Sequence, residues 1–275
     1  MPIEITKVTS KKDMKTFVRF GNRFYKANKY YVPSMPFDDM ATFDEGHNGA
    51  FAFSKAEFYL AHKDGKVVGR VAAIINNKAN ESWNVKQVRF GWIDFIDDLE
   101  VSKALLDAVS EFGRQRGMTQ IVGPLGFTDL DPEGMLVEGF DRLGTMSMIY
   151  NHPYYPEHMV KHGYMKETDW MEFRITLPET LPERHQKLAQ LVLERNNLRI
   201  VKKTRRQIRE EKYGHKLFRL INETYCLLYG YSILSERQID AYVDQYLGIL
   251  DPRMLSFIEN EKGELVAAGV TMASL

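Results

Sequence analysis

A single cysteine, Cys226, leaves this 275-residue chain unable to close an internal disulfide. That fits a reducing compartment, and a chain this long has no need of a covalent staple. An excess of charge is missing too: 37 Lys and Arg face 37 Asp and Glu. No global field therefore selects nucleic acid or an anionic membrane. The basic-looking run KKTRRQIREEKYGHK (202–216) is answered by Glu210 and Glu211 and reads as a solvated helix face. Long apolar runs are absent; VVGRVAAII falls far short of the roughly 20 residues that span a bilayer. The opening MPIEITKVTSKKD has no apolar core, so no secretory leader is expected and the protein is expected in the cytoplasm. One local absence matters most. In IDFIDDLEVSKALLDAVSEFGRQRGM (93–118) a strand turns into a helix through Asp97, Asp98 and Glu100, without a glycine.

Strand and helix signals alternate along the chain. IEITKV (3–8) is a short strand, and Asp13 to about Asn28 is a helix with Phe17, Phe20, Phe24 and Tyr25 on one face. AEFYLAHKDGKVVGRVAAIIN (56–76) reads as two strands joined at Asp64–Gly65, a hairpin signal. QVRFGWIDFI (87–96) is a further core strand. A helix from Leu99 to Gly117 then buries Val101, Leu105, Val109 and Phe112, and TQIVGPL (119–125) is the next strand. Alternation of this kind predicts an α/β (α+β) sheet covered by helices.

The chain also resembles itself. FVRFGNRFY (17–25) matches LFRLINETY (217–225), with Arg19/Arg219, Asn22/Asn222 and Tyr25/Tyr225 coinciding. DGKVVGRVAA (64–73) matches KGELVAAGVT (262–271) at nearly the same spacing. Two matches in one order predict a duplicated domain. The expected organisation is a first domain over 1–178, a connecting helix over 179–197 and an incomplete second copy over 198–275. A domain that stops on VAAGVTMASL would expose a sheet edge. The chain is thus expected to be part of a longer protein, lacking about 100 residues of the second copy.

The order strand, helix, long loop, hairpin, strand, helix, strand, helix resembles the GNAT acyltransferase superfamily, with its mixed central sheet. The segments AHKDGKVVGRVAAIINN, GPLGFTDLDPEGMLVEGFD and YNHPYYPEHMVKHGYMKETDWMEFRI look like a tandem GNAT-like family common in bacteria. The resemblance implies acyl transfer from acetyl-CoA or another acyl-CoA to a small-molecule amine, without a metal. It also implies that the strand-to-helix turn holds the coenzyme pyrophosphate on glycine-rich N–H groups. Here Asp97, with Glu100 three residues on, is a capping-box pattern that satisfies those N–H groups and repels phosphate. The position of the superfamily's acidic tyrosine falls on Met159, which has no proton to give. The first copy is therefore expected to be structural or acceptor-binding, with the coenzyme site beyond Leu275. The alternative is a non-catalytic ligand-binding or interaction module.

Candidate residues follow from local chemistry. TDLDPEGMLVEGFD (128–141) concentrates five acids, a lip suited to a cationic amine. Glu138 is the candidate base, since LVEGF should bury it in part and raise its pKa. Asp131 and Asp141 join it as pocket candidates, with Tyr150, Asn151 and Tyr154 from the aromatic loop YNHPYYPEH. Tyr154 and Tyr155 serve equally well to pin a helix to the sheet. His152, His158 and His162 lack the glutamate of a zincin motif, so no metal is expected.

Overall fold

The computed structural model describes residues 2–145, 148–247 and 250–273. They form two compact units, Met1–Trp170 with Gly230–Ser232, and Met171–Tyr229 with Ile233–Leu275.

In the first unit, β1 (Glu4–Lys7) is followed by α1 (Lys11–Phe24) and α2 (Pro36–Thr42). The Ser10 hydroxyl caps α1 by accepting from the Asp13 amide at 3.1 Å. Phe17, Val18 and Phe20 are buried, as the spacing requires, but the helix ends at Phe24 rather than near Asn28. Next come β2 (Ser54–Lys63) and β3 (Lys66–Asn76), joined through Asp64 and Gly65, both at positive φ. A short α3 (Asn77–Ser82) leads to β4 (Gln87–Phe95), α4 (Leu99–Arg114), β5 (Gln120–Val122) and α5 (Tyr155–Lys161). The sheet order is β1-β2-β3-β4-β5; β1 to β4 are antiparallel and β5 runs parallel to β4. This is the mixed, helix-covered sheet that the GNAT resemblance implies.

On one side of the sheet α4 buries Val101, Leu105, Leu106, Val109 and Phe112 against Val71, Ala73, Val88 and Phe90. Each such side chain is worth about 1.5–3 kcal/mol as an upper figure. On the other side Phe17 and Val18 of α1 meet Phe43, Phe58, Leu60, Ile74 and Phe127.

The second unit holds α6 (Glu183–Arg195), β6 (Arg199–Val201), α7 (Arg205–Glu210), α8 (Tyr213–Tyr225), α9 (Glu236–Leu247), β7 (Leu255–Glu259) and β8 (Leu265–Val270). Its sheet is β6-β7-β8, all antiparallel. It repeats the order of the first unit's opening: strand, helices, antiparallel hairpin. The repeat extends to a side-chain clamp. Asn22 donates to the Ser34 carbonyl at 2.9 Å and accepts from the Ser34 amide at 3.1 Å. Asn222 does the same with Leu234, at 3.0 and 2.8 Å. Both clamps tie a helix to the chain twelve residues on.

Candidate functional site

The first unit's polar cluster begins where β4 and β5 part. They pair at Gln87–Gln120, Val88–Ile121 and Arg89–Val122. Then the chain leaves through Gly123 at φ 153°, where a Cβ would lie 2.3 Å from the Phe90 carbonyl oxygen. The expected strand over 119–125 therefore shortens to three residues. Beyond Phe90, β4 keeps only β3 as a neighbour and bulges at Trp92, whose φ of 44° is a strained value for an aromatic residue.

Two tyrosines fill the edge so exposed. The Phe95 amide donates to the Tyr155 hydroxyl at 2.8 Å, and the Tyr154 hydroxyl donates to the Phe95 carbonyl at 2.6 Å. The Tyr155 ring stacks on Phe95 at 4.0 Å. The Tyr155 and Tyr25 hydroxyls lie 2.9 Å apart, and Tyr25 donates to Asp94 Oδ1 at 2.8 Å. Asp94 Oδ2 accepts from Arg70 Nε at 2.7 Å, and Arg70 also donates to the Phe17 carbonyl at 2.8 Å. Tyr25 and Tyr155 are pushed well above the usual phenol range, by burial first and then by Asp94. Tyr31, beside them, rises to about 12, again by burial first. The groups are linked donor to acceptor from the strand edge to a buried ion pair, so they hold one geometry.

The turn after β4 departs from expectation in one detail. Asp98, not Asp97, caps α4: its backbone is extended just before the first helical residue, and its carboxylate accepts from the Glu100 amide at 2.9 Å. Lys63 grips the same carboxylate at 2.6 Å and holds its pKa below the ordinary value. Asp97 turns away to meet His158 Nε2 at 3.0 Å. His158 Nδ1 and His162 Nε2 both lie 2.8 Å from the Ser102 hydroxyl, which is buried in α4. At this turn a carboxylate occupies a free amide of the helix end, and a second carboxylate stands beside it. Among the described residues no group of three or more His, Cys, Asp or Glu is arranged to hold a metal.

The loop after β5 lies at the C-terminal end of the parallel pair, where open α/β sheets bind ligands. It carries Asp129, Asp131 and Glu133 around Arg89 of β4. Burial raises Asp129 and Asp131 to about 6 and Glu133 to about 8, with the Asp129 charge adding to the last. Arg89 donates to the Gly126 carbonyl at 3.1 Å, and the Thr128 amide donates to Asp131 at 2.9 Å. The buried Oδ1 of Asp129 has no hydrogen-bond partner.

The expected site residues divide between places. Asp131 joins the acidic cluster. Tyr154 seals the β4 edge, and Asn151 clamps the loop by accepting from the Leu136 amide at 2.6 Å and donating to its carbonyl at 3.1 Å. Tyr150 accepts from Asn28 and packs on Tyr25. Asp141 is exposed. So is Glu138, contrary to its expected partial burial: the apolar run LVEGF turns outward, leaving Val137 58% exposed beside it. Met159 packs against the core under α4. The sequence reading missed Glu133, Asp129, Arg89, Tyr25 and the Arg70–Asp94 pair. Arg70 and Asp94 in otherwise apolar strands were the available signal.

The fold is a mixed, helix-covered five-stranded sheet followed by a unit with a three-stranded antiparallel sheet. No family model matches the sequence. The chain is 29% identical over 167 residues to protein YghO of Escherichia coli, a match covering 59% of this chain and 43% of YghO. It is 22% identical over 271 residues to the bacterial ceramide synthase of Caulobacter vibrioides, covering 98% of this chain and 69% of that protein. Among solved structures it resembles a tandem GNAT protein from the clavulanic acid biosynthesis pathway, at TM-score 0.49 and 10% identity. That match covers 98% of this chain and 75% of the other.

Proposed function

We propose that the chain is part of an acyl-CoA-dependent N-acyltransferase whose first copy receives the amine and does not hold the coenzyme. The observation that carries this reading is the trio Asp129, Asp131 and Glu133 at the C-terminal end of β4 and β5. An alkylammonium must lose a proton before its nitrogen can attack an acyl carbon, and a carboxylate raised toward neutrality both attracts the cation and accepts that proton. Glu133 is the base in this reading, in place of Glu138. Asp129, with its unpartnered oxygen, supplies a hydrogen-bond acceptor for the ammonium. The sealed β4 edge and the self-capped turn support leaving the coenzyme to the second copy. The ceramide synthase relative, which aligns with nearly the whole chain, supports a long-chain amino alcohol as the acceptor.

Calorimetry with sphinganine, and separately with acetyl-CoA and palmitoyl-CoA, tests this on the intact chain. Amine binding that falls about tenfold or more in Asp129→Asn and Glu133→Gln supports the reading. Coenzyme binding whose affinity changes in Asp98→Arg would place the coenzyme at the first copy's turn and sink it. The second reading, a non-catalytic ligand-binding module, is favoured by the fully satisfied turn at Asp98. It gains if the amine binds but no thiol is released with any acyl-CoA by the longest form of the protein.

A further inference from the structure

The outward face of α1 carries a charge row that the cluster at β4 does not use. Lys12, Lys15, Arg19 and Arg23 recur at steps of three and four residues, so they share one stripe of the helix. The stripe is about 16 Å long at 1.5 Å per residue. All four are exposed, and Lys11, Lys26 and Lys29 extend the row at its ends. Among the described residues none of these seven has an ion pair or a side-chain hydrogen bond to a carboxylate. The lone acid of the helix, Asp13, lies in its first turn and is engaged by Ser10 at 2.6 Å. The chain as a whole is neutral, so this row is a local concentration of charge and not a sample of the average surface.

Beside the C-terminal end of the row stands an apolar pair. The clamp from Asn22 to Ser34 fixes the start of α2 against α1 one residue before Arg23. Met35 and Phe37, flanking that point, are 50% and 69% exposed. The opposing charges there are Asp38 and Asp39; Asp39 is engaged by Ser34 at 2.6 Å and burial raises its pKa.

We propose that this face, the α1 cation row with Met35 and Phe37, docks the protein on the surface of an anionic phospholipid bilayer. Cations on a rigid stripe complement a sheet of lipid phosphates, at about 1 kcal/mol per Lys or Arg near the surface. A methionine and a phenylalanine at its margin match the interfacial zone just below the headgroups. Nucleic acid would use the cations but offers no apolar layer for Phe37 and Met35, so the pair favours a bilayer. Among the described residues no helix is long and apolar enough to cross a membrane. The inference stands on charge and exposure and does not rest on the acyltransferase reading.

The test is co-sedimentation of the intact chain with vesicles of phosphatidylcholine alone and with about 40% phosphatidylglycerol, at low and at about 0.5 M salt. The expected result is binding to the anionic vesicles only, lost at high salt. The double variant Lys15→Glu/Arg19→Glu, checked by circular dichroism, should lower the partition coefficient at least tenfold, and Phe37→Asp should lower it about threefold. Equal binding to neutral vesicles, no binding at low salt, or an unchanged charge-reversed variant would overturn the proposal. So would release from vesicles by a duplex or single-stranded oligonucleotide at matched phosphate, which would assign the face to nucleic acid. The salt dependence of the unaltered chain decides the matter even if a variant fails to fold.

Discussion

The two units share a scaffold and spend their buried charges differently. Each joins a tyrosine, a carboxylate and an arginine in contact. In the first, Tyr25 donates to Asp94, which pairs with Arg70 at 2.7 Å; both charged side chains are 8% exposed. In the second, Tyr213 donates to Glu259, which pairs with Arg199 at 2.8 Å, but Arg199 is 63% exposed while Glu259 is 5%. The positions do not correspond. By the hairpin match Arg70 aligns with Ala268, and by the helix match Tyr25 aligns with Tyr225, which is 46% exposed. The clamp occurs in both units, whereas the buried ion pair occurs in the first, beside the β4 edge sealed by Tyr154 and Tyr155.

The comparison breaks most sharply at the arginines. Arg70→Met leaves Asp94 buried without its partner and should cost about 3–5 kcal/mol. Arg199→Met removes an arginine whose head is in water, and should cost under about 1 kcal/mol. All three tryptophans, Trp83, Trp92 and Trp170, lie in the first unit, so urea unfolding followed by their fluorescence reads that unit. Equal shifts from the two variants would remove the distinction drawn here. Replacing both members, Arg70→Met with Asp94→Leu, should recover part of the loss, because the cost is an unpaired charge and not a missing contact.

The asparagine clamps should break more evenly. Asn22→Ala and Asn222→Ala each remove the partner of one amide and one carbonyl, about 0.5–1.5 kcal/mol per bond. Asn22 also accepts from Tyr31 at 2.6 Å, so its loss should be the larger. Only Asn22→Ala should shift the tryptophan transition; a shift of similar size from Asn222→Ala would show that the two units unfold as one.

Proton linkage sets the copies in opposition. Glu133, at about 8, binds its proton more tightly folded than unfolded, where glutamate titrates near 4.5. Between those values the folded state holds more protons, so this contribution is present at low pH and is lost as pH rises through about 8. Asp129 and Asp131 act in the same sense up to about 6. In the second unit Asp251 is lowered to about 2 by Arg253, and Glu259 is lowered by its Tyr213 hydrogen bond against the opposing effect of burial. Their contribution is present above the ordinary carboxylate range and is lost as pH falls toward 2. Tryptophan-detected stability should therefore decline between pH 5 and 8 by on the order of 1 kcal/mol, and Glu133→Gln should flatten that slope. A flat profile in the unaltered protein would count against the buried trio.

The sequence made the scaffold legible because its signals are local: Asp64–Gly65 for the hairpin, the apolar spacing of α4, the paired asparagines for the repeat. The candidate site was legible only in part. Asp131 could be found from a run of acids, but burial decides which acid is perturbed. The outward turn at Val137 exposes Glu138, while Glu133, five residues earlier, is half-buried. Nothing within a few residues of either carries that difference. The Tyr25–Asp94–Arg70 group was equally hidden, since its members come from three elements and meet only in the folded sheet.

The smallest expected effect concerns two adjacent aspartates. Sequence pattern assigns the α4 cap to Asp97, with Glu100 closing a capping box; the structure assigns it to Asp98. Asp98→Ala removes the acceptor for the Glu100 amide and the partner of Lys63, whose side chain is 31% exposed. A cap is worth about 1 kcal/mol, and a part-exposed ion pair adds a few tenths. Asp97 is 69% exposed and only touches His158, so Asp97→Ala should cost less than about 0.5 kcal/mol near neutral pH. If Asp97→Ala proved the costlier variant at neutral pH, the capping box would be the better account. The turn would then be open at Asp98, with a helix-end amide free to meet a phosphate.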